Sequence, residues 1–347
     1  MSETVLVTGG FGLAGRDAVK QLAADGWHVV TTAHRTTDGD LPAGVQIRHV
    51  DLADTESVGR LVAELAPAAI VHLAAVIPPM TYRNPAVARR VNVDATTALV
   101  NAAERQPDPP RFVHASSCSI YGPRNPHRQA GPVNLSTEEQ PCEHYGAQKL
   151  EAERAVRAAQ LPWSILRLGS IMSADPTALK LTPDTMYFGS ALPTDSRLHT
   201  VDTRDVAAAF AAAARADFIH EILFIAGDET HRVEVGSNFD EVCAAYGITR
   251  MPPRRPGNPD CDADWYPVGD WMDVARAQEL LRFQRHSRPD VLDELQFNVG
   301  WKRSAARLAA PMIRRVAARR SPYRGTAGPY ADVWTAVRSR FGEARTG

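Results

Sequence analysis

Hydrophobic and polar positions alternate between two patterns in the first half of the chain. Short runs rich in β-branched residues predict strands, and apolar residues spaced three and four positions apart predict amphipathic helices. The predicted strands are Thr4–Thr8, His28–Ala33, Val45–Val50, Ala69–Leu73, Arg111–Ser116 and Ser164–Leu168. The predicted helices are Leu13–Ala24, Thr55–Leu65, Pro85–Arg105 and Glu143–Ala159, and Gly26 is expected to cap the first. This alternation is typical of βαβ units, so we expect an α/β fold with a doubly wound parallel sheet.

The second half of the chain lacks this regular alternation. Prolines and glycines cluster in Asp175–Pro193 and again in Met251–Pro267. We therefore expect one large domain at residues 1–169 and a smaller, looser one at 170–297. The Ala-rich stretch Thr203–Ala216 predicts a helix that returns to the sheet, so the two domains are interleaved.

Composition narrows the class of protein. The chain has 347 residues, 44% of them hydrophobic, which excludes a disordered protein. Its formal net charge of −1 gives no overall preference for nucleic acid. No apolar run approaches the roughly 20 residues of a membrane span, so we expect a cytoplasmic protein. Four widely spaced cysteines predict neither a disulfide framework nor a metal site: Cys118, Cys142, Cys243 and Cys261.

Charge is nevertheless uneven, because residues 298–347 carry 11 basic and only 2 acidic side chains. Within 301–320, apolar residues and arginines interleave at helical spacing, and Pro311 is expected to bend or interrupt that helix. We favour a basic extension packed on its own domain, with its arginines meeting the acidic excess of the first 297 residues. The alternative is peripheral contact with an anionic membrane or an acidic protein surface.

A glycine-rich loop directly follows the first predicted strand. It reads Thr8-Gly9-Gly10-Phe11-Gly12-Leu13-Ala14-Gly15 and leads into a predicted helix. Glycines in this context permit a tight turn, close approach of the backbone to a phosphate, and close packing of helix on strand. The helix N-terminus then offers free amide groups to the anion. The loop therefore predicts a dinucleotide site.

The spacing T-G-x-x-G-x-x-G resembles that of the extended short-chain dehydrogenase/reductase family. Asp51-Leu52, His72-Leu73-Ala74-Ala75 and Asn92 follow in that family's order, and the resemblance covers roughly residues 4–230. It implies a Rossmann domain that binds NAD(P), with a smaller C-terminal substrate domain. The cofactor contacts that it implies are Thr8, Gly9, Phe11, Gly12, Leu13, Gly15, Asp51, Leu52, Leu73, Ala74, Ala75, Asn92, Tyr145, Lys149 and Ile171.

The end of the second predicted strand bears on the choice of cofactor. An acid there would favour NAD, whereas a basic residue would accommodate the extra phosphate of NADP. Ala33 stands where the acid is expected, and Arg35 follows two residues later. We therefore predict NADP, with NAD as the alternative if Arg35 is only a solvated loop residue.

Tyr145 and Lys149 lie four residues apart, on one face of a predicted helix. An ammonium group close to a phenol favours the phenolate and lowers its pKa, which allows the phenol to exchange a proton with a substrate hydroxyl. The fifth strand ends in a segment that resembles the family's S-S-x-x-V-Y-G, and this implies Ser117 as the catalytic serine. The resemblance also implies that Lys149 binds the nicotinamide ribose.

Departures from the family's sequence patterns narrow the set of reactions that the protein is expected to catalyse. Ser117-Cys118-Ser119 replaces the Thr-Asp-Glu run of the sugar-nucleotide dehydratases, and Ser170 replaces an asparagine found in many epimerases. We predict an oxidoreductase that transfers hydride between NADP(H) and a carbonyl or secondary alcohol of a small organic molecule. A sugar-nucleotide epimerase is the first alternative, and an NADP-binding redox sensor without catalysis is the second. We expect no metal and no nucleic acid, and leave a homodimer open.

Overall fold

The structure, a computed structural model, describes residues 3–34, 41–178 and 182–346. Seven parallel strands form its central sheet: β1 (Thr4–Thr8), β2 (His28–Ala33), β3 (Gln46–His49), β4 (Ala69–His72), β5 (Arg111–Ser117), β6 (Trp163–Leu168) and β9 (Glu221–Ile225). Their order across the sheet is β3-β2-β1-β4-β5-β6-β9. The order reverses between β1 and β4, which places a ligand crevice at the carboxyl ends of those two strands.

Helices cover both faces of the sheet. One face carries α1 (Gly15–Ala24), α8 (Thr203–Arg215) and α10 (Ala275–Leu281). The other carries α2 (Thr55–Leu65), α5 (Ala95–Glu104) and α6 (His144–Ala158). Alanines make up most of the buried residues of α8, and their small side chains let the helix lie close to the sheet and to α1. The Rossmann architecture expected from the sequence is therefore confirmed.

Around the central sheet, two of the observed elements differ from the prediction. The sequence pattern does not indicate β9, because its apolar run is short and follows a long helix rather than a clear turn signal. The helical stretch that begins at Pro85 is divided into α4 (Pro85–Arg89), a π-helical turn (Arg90–Asp94) and α5. The first helix ends as expected, since Gly26 adopts a φ of +84°, which glycine accommodates without strain.

A second layer contains a sheet of three short strands, β7 (Ser170–Met172), β8 (Arg197–Asp202) and β10 (Arg232–Glu234). Around it lie the remaining helices: α3 (Met80–Arg83), α7 (Pro183–Ala191), α9 (Val235–Ala245), α11 (Arg288–Val299), α12 (Trp301–Arg319) and α13 (Val333–Phe341). An aromatic cluster containing Tyr266, Tyr323, Trp334 and Phe341 joins α13 to α3 and α7. Most of the segment after α12 is thus packed into the body of the protein.

The basic stretch itself differs from its prediction. The helix α12 continues through Pro311 rather than stopping there. Its arginines were expected to meet acidic side chains, but within the described residues the ones at 303–324 form no ion pair. Arg303 and Arg314 donate instead to the backbone carbonyls of Ala244, Ala245 and Thr249. Among the described helices, none has the length and apolar character that crossing a membrane requires.

Candidate active site

The glycine-rich loop lies at the carboxyl end of β1, at the reversal of strand order. A Cβ added to Gly9 would come within 2.8 Å of the backbone of Ala74, which follows β4. A Cβ on Gly15 would lie 2.0 Å from the carbonyl oxygen of Gly9, so only glycine lets α1 begin so close to the strand. The residue before α1, Ala14, provides no side-chain cap, which leaves the amide groups of the first turn for an anion. The loop therefore fits a pyrophosphate.

A cavity of ≈ 720 Å³ extends from this loop along the carboxyl ends of the strands. Most of the predicted cofactor contacts line it: Gly9, Phe11, Gly12, Leu13, Gly15, Asp51, Leu52, Leu73, Ala74, Ala75, Tyr145, Lys149 and Ile171. Its wall is largely apolar, with polar groups at a few points, as is usual for small-molecule sites. The size and lining of the cavity fit a dinucleotide.

Thr8 and Asn92 are both buried and, in the described part of the chain, neither lines this cavity. The Thr8 hydroxyl lies 2.6 Å from His72 Nδ1 and accepts a hydrogen bond from the Ala74 amide. The Asn92 side chain pairs with both backbone groups of Val76, at 2.8 and 2.9 Å. Both side chains hold the backbone that forms the cavity wall, and their contact with the cofactor stays a prediction.

The end of β2 forms the far wall of the cavity. Ala33 is buried there, and no carboxylate follows it before the described residues stop at His34. His34 Nδ1 lies 3.7 Å from a carboxylate oxygen of Asp51. Arg35, on which the NADP prediction rests, falls outside the described residues. The described part of the wall thus lacks an acid at the strand end.

Ser117 ends β5, and the chain turns there into a short 3-10 helix, Cys118–Tyr121. Its hydroxyl oxygen accepts a hydrogen bond from the Ser119 amide at 3.2 Å, and Ser117 also hydrogen-bonds Tyr145. The helix α6 approaches this turn closely, because a Cβ on Gly146 would lie 2.6 Å from the Ser119 carbonyl oxygen. Gly146 therefore allows the serine and the tyrosine to meet.

The predicted pair, Tyr145 and Lys149, lies on one face of α6, and both residues line the cavity. The Lys149 side chain is buried, and its Nζ donates to the carbonyl of Ala115 at 2.8 Å. Burial lowers the pKa of Lys149 to about 8, while the Glu153 carboxylate acts in the opposite direction. The Nζ of Lys149 lies 5.9 Å from the centre of the Tyr145 ring.

The pKa of Tyr145 departs from the prediction. Burial raises it above its ordinary value, and the hydrogen bond with Ser117 lowers it by less. The lowering expected from Lys149 is therefore not seen in this structure. At neutral pH Tyr145 carries its proton, which suits a group that donates a proton to a developing alkoxide.

Beneath Lys149 lies a buried network of charges. Arg167 is 1% exposed and lies 2.7 Å from a carboxylate oxygen of Glu153, which is fully buried. Arg167 also binds Glu139 and the hydroxyl of Tyr121, and Arg157 binds both carboxylates. Each buried charge of the network thus has a partner of opposite sign within ion-pair distance.

Sequence reasoning missed Glu143, which caps α6 two residues before Tyr145. Its carboxylate accepts from the amides of Tyr145 and Gly146, and from the hydroxyl of Tyr82 at 3.0 Å. Burial raises the pKa of Glu143 to about 7. The signal available was an acidic residue directly ahead of a helix, the pattern of an N-cap.

Sequence reasoning also missed two further groups. Arg90 is exposed and lines the cavity from the π-helical turn, where π-bulges often accompany functional sites. Ser119, next to the serine turn, donates to the carbonyl of Pro267 at 3.3 Å. Tyr266 hydrogen-bonds Tyr82, so the loop from the second layer lies against the serine turn.

The N-terminus of α6 also pairs with a segment far along the chain. The amide of His144 donates to the carbonyl of Ala344 at 3.0 Å, and Thr346 donates to Cys142 at 3.2 Å. Glu143 and Arg345 form an antiparallel bridge between these bonds. The residues after α13 thus complete the backbone hydrogen bonds next to Tyr145.

The sequence is similar to a protein family and to several curated proteins. The model of the NAD dependent epimerase/dehydratase family matches residues 5–226. The methionine adenosyltransferase 2 subunit beta of Bos taurus is 29% identical over 191 residues, 54% of this chain and 53% of that protein. The probable UDP-arabinose 4-epimerase 1 of Oryza sativa subsp. japonica is 27% identical over 197 residues, 50% of this chain and 44% of that protein. The chain thus spans about half the length of the curated relatives it matches.

Solved structures share the fold over a longer stretch. The UDP-glucose 4-epimerase of Thermus thermophilus, in complex with NAD, has a TM-score of 0.68 at 22% identity, covering 87% of this chain and 99% of that one. The UDP-glucose 4-epimerase of Thermotoga maritima, with UDP-glucose, has a TM-score of 0.69 at 19% identity, with the same coverage. The family model matches residues 5–226, which is more than half of the chain. The chain therefore belongs to the NAD dependent epimerase/dehydratase family, within the extended short-chain dehydrogenase/reductases.

Proposed function

We propose that this protein is an oxidoreductase that transfers hydride between NADP(H) and a carbonyl or secondary alcohol of a small organic molecule. The observation that carries the proposal is one arrangement of three side chains. Tyr145 and Lys149 line the cavity that the glycine-rich loop opens, and Ser117, which is not among its lining residues, hydrogen-bonds Tyr145 from behind the cavity wall.

The chain's own residues account for the proton. A bound nicotinamide dinucleotide supplies or accepts the hydride. In the reducing direction, the Tyr145 hydroxyl donates its proton to the substrate oxygen, and Ser117 holds that oxygen by a hydrogen bond. The Lys149 cation, fixed by Ala115, stabilises the tyrosinate left behind. In the oxidising direction the same groups remove the proton.

Preference for NADP rests on the end of β2. Ala33 offers no carboxylate to the ribose, and His34 and Arg35 follow directly. An arginine can bind a phosphate through two parallel hydrogen bonds, which a neutral ribose hydroxyl does not match. The solved relatives named above include one in complex with NAD, so NAD is the competing cofactor.

The second layer favours a compact substrate. Tyr82 and Tyr266 are buried next to Glu143, and the carbonyl of Pro267 holds Ser119. The nearby arginines, Arg124 and Arg197, lie within ion-pair distance of the buried Asp270. Because Arg124 and Arg197 already lie at Asp270, they are less available to a diphosphate, which supports a weakly charged substrate.

A sugar-nucleotide epimerase is the second candidate. Its support is the family match and the similarity to a probable UDP-arabinose 4-epimerase. An epimerase returns the hydride to its substrate, so the reduced cofactor does not accumulate. A third candidate, a cofactor-binding protein without turnover, is favoured by the similarity to a protein named as a subunit of an adenosyltransferase.

One experiment separates the three candidates. The purified protein is incubated with NADPH or NADP and a panel of ketones, secondary alcohols and nucleotide sugars. Nicotinamide absorbance and isomer formation are followed in parallel. Net change in absorbance that disappears in Tyr145→Phe supports the proposal. Isomer formation without net change supports the epimerase, and tight cofactor binding with neither supports the binding protein.

A further inference from the structure

The helix α12 presents an apolar face to solvent. Trp301, Leu308 and Met312 are 78%, 86% and 68% exposed, and Val316 is 41% exposed. At 100° per residue these four side chains lie within one narrow sector, and they extend over about 22 Å of helix. We call these four residues the ridge. Large apolar side chains grouped in this way on a surface mark a contact site.

Contacts on the opposite face of α12 hold the helix so that the ridge faces solvent. Ala310 is buried against the body of the protein. Arg303 donates to the carbonyls of Ala244 and Ala245, and Arg314 donates to that of Thr249. A Cβ on Gly247 would lie 2.5 Å from the Arg303 carbonyl oxygen, so the two segments are in close contact. Rotating α12 to bury the ridge would break these contacts.

Four exposed basic residues of α12 and its C-cap lie on or beside the ridge, in a stretch that has no acidic residues: Lys302, Arg315, Arg319 and Arg320. Residues 295–331 contain no aspartate or glutamate and eight lysines or arginines: Lys302, Arg303, Arg307, Arg314, Arg315, Arg319, Arg320 and Arg324. Over the described ranges none of the eight is paired with a carboxylate. An unpaired positive surface around exposed apolar side chains is complementary to a surface that is negative outside and apolar beneath.

A second copy of the chain fits this surface poorly. Symmetric dimerisation brings the same patch of each copy together, and here it would oppose two sets of unpaired cations. An anionic lipid surface can bind both the cations and the apolar side chains. Its headgroups contact the arginines, and its acyl region accepts the apolar side chains. Trp301 at the start of α12 suits this boundary, where tryptophan is enriched.

An apolar cavity of ≈ 230 Å³ adjoins the ridge. Val316 belongs to both, and Met186, Phe239 and Ile313 are among the other lining residues. Apolar surface therefore continues from the outer face of α12 around to its flank.

We propose that α12 docks the protein on an anionic lipid surface, with the ridge inserted at the headgroup boundary and the arginines on lipid phosphates. The helix lies in the plane of that surface and does not cross it. This inference is independent of the reaction proposed above, because neither the ridge nor its arginines line the cofactor cavity.

Vesicle sedimentation of the full chain tests the proposal. The vesicles contain either equal parts of phosphatidylglycerol and phosphatidylcholine or phosphatidylcholine alone. We expect binding to the anionic vesicles at an ionic strength of about 0.01 M and weaker binding at about 0.15 M, since the screening length falls from about 30 Å to about 8 Å. Binding to the neutral vesicles should be at least about tenfold weaker.

Matched variants assign the binding to α12. Leu308→Ser/Met312→Ser shortens the ridge, and its control Leu135→Ser/Ile219→Ser removes two exposed apolar side chains elsewhere. Arg315→Glu/Arg319→Glu reverses charge beside the ridge, and its control Arg105→Glu/Arg154→Glu makes the same change in net charge at other exposed positions. Both α12 variants should bind at least about tenfold more weakly, with the controls within about twofold of wild type.

The remaining outcomes overturn the proposal. These are failure of the wild type to bind anionic vesicles, equal binding to neutral ones, and equal losses in the controls. Sedimentation velocity in the absence of lipid is a further check. A wild-type dimer that becomes monomeric in Leu308→Ser/Met312→Ser would assign the ridge to a second copy instead. Unchanged thermal unfolding and NADPH binding in every variant show that any loss is local.

Discussion

Two helices of this protein hold positive charge in opposite ways. In α6, Lys149 is buried and donates to Ala115, and the buried pair of Glu153 and Arg167 lies beneath it. In α12, most of the cations are exposed, none is paired with a carboxylate within the described residues, and apolar side chains stand between them. A buried charge in low dielectric acts strongly on one neighbouring group, whereas exposed charges act weakly and together over a surface.

The two helices should therefore respond differently to substitution. Removing a group from the α6 network leaves another charge buried without compensation, so both chemistry and folding should suffer. Removing an exposed cation of α12, such as Arg315, breaks no ion pair among the described residues, and stability should barely change. The first four predictions below test the α6 side of this contrast, beginning with the largest effect, and the fifth tests the choice of cofactor.

Replacing Tyr145 by phenylalanine should reduce turnover about 10²–10⁴-fold, the range for a positioned proton donor. Cofactor affinity should stay close to wild type, because the hydroxyl acts mainly in the transition state. Steady-state rates and a fluorescence titration with NADPH measure the two effects. Tyr330→Phe, at an exposed position, serves as the control. More than about a tenth of wild-type activity in Tyr145→Phe would assign the proton to another residue.

Lys149→Met should impair both turnover and cofactor binding, because this cation is proposed to serve both. The same rate and titration measurements apply. A variant that loses turnover while binding NADPH normally would contradict the role in cofactor binding and leave only the effect on Tyr145.

Arg167→Met should lower the free energy of unfolding by about 3–5 kcal/mol, since it removes one partner of the buried Glu153 carboxylate. Urea denaturation measures the change. The matched control is Arg60→Ala, which breaks an ion pair with Glu56 whose partners are 62% and 82% exposed, and this change should leave stability almost unaltered. Similar losses in both variants would remove the distinction between buried and exposed charge.

Glu143 predicts a pH dependence of folding. Its folded-state pKa of about 7 lies above its ordinary value of 4.5, so the folded protein binds the extra proton in between. The contribution of Glu143 to the free energy of unfolding is fully present below pH 4.5 and is lost as the pH rises through 7. The loss is on the order of 3 kcal/mol. Urea unfolding of wild type and Glu143→Gln between about pH 4.5 and 8 measures it. The variant should lose less stability than wild type, whereas parallel curves would place the carboxylate's pKa near its ordinary value.

Arg35→Ala should weaken NADPH binding by about one to two decades and leave NADH almost unaffected, because a charge-assisted pair with phosphate is worth roughly 1.5–3 kcal/mol. Titration of both cofactors into wild type and variant decides the matter. Equal affinities of the wild type for NADPH and NADH would end the NADP assignment.

Local signals predicted the dinucleotide half of the protein well. Six of the seven strands of the central sheet, the glycine-rich loop and the Tyr145–Lys149 pair each depend on residues close together in sequence. The six strands lie near their predicted positions, and the loop and the pair line one cavity. A chemical role could be predicted for the loop and the pair because a glycine-rich loop after the first strand, followed later by a tyrosine and a lysine four residues apart on one helix, is a specific combination.

Other features depend on contacts over long sequence separations. The burial of Glu143 requires Tyr82, and the unpaired state of the α12 arginines requires that no acidic segment folds beside them. The prediction for the pKa of Tyr145 is wrong because spacing reveals the neighbouring cation and says nothing of the desolvation that outweighs it. Thr8 and Asn92 hydrogen-bond groups of the protein behind the cavity wall, and a sequence motif does not distinguish a side chain that supports a wall from one that touches the ligand.

The pairing of residues 142–144 with 344–346 bears on how the protein is made. A ribosome that adds roughly 5–20 residues per second reaches Ala344 about 10–40 s after His144. Throughout that interval the sheet can assemble from strands already synthesised, while the entry to α6 lacks its final backbone partners. A nascent chain can therefore form the glycine-rich loop and its sheet well before α6 gains its last backbone partners, and dinucleotide that binds early would stabilise the first half during translation.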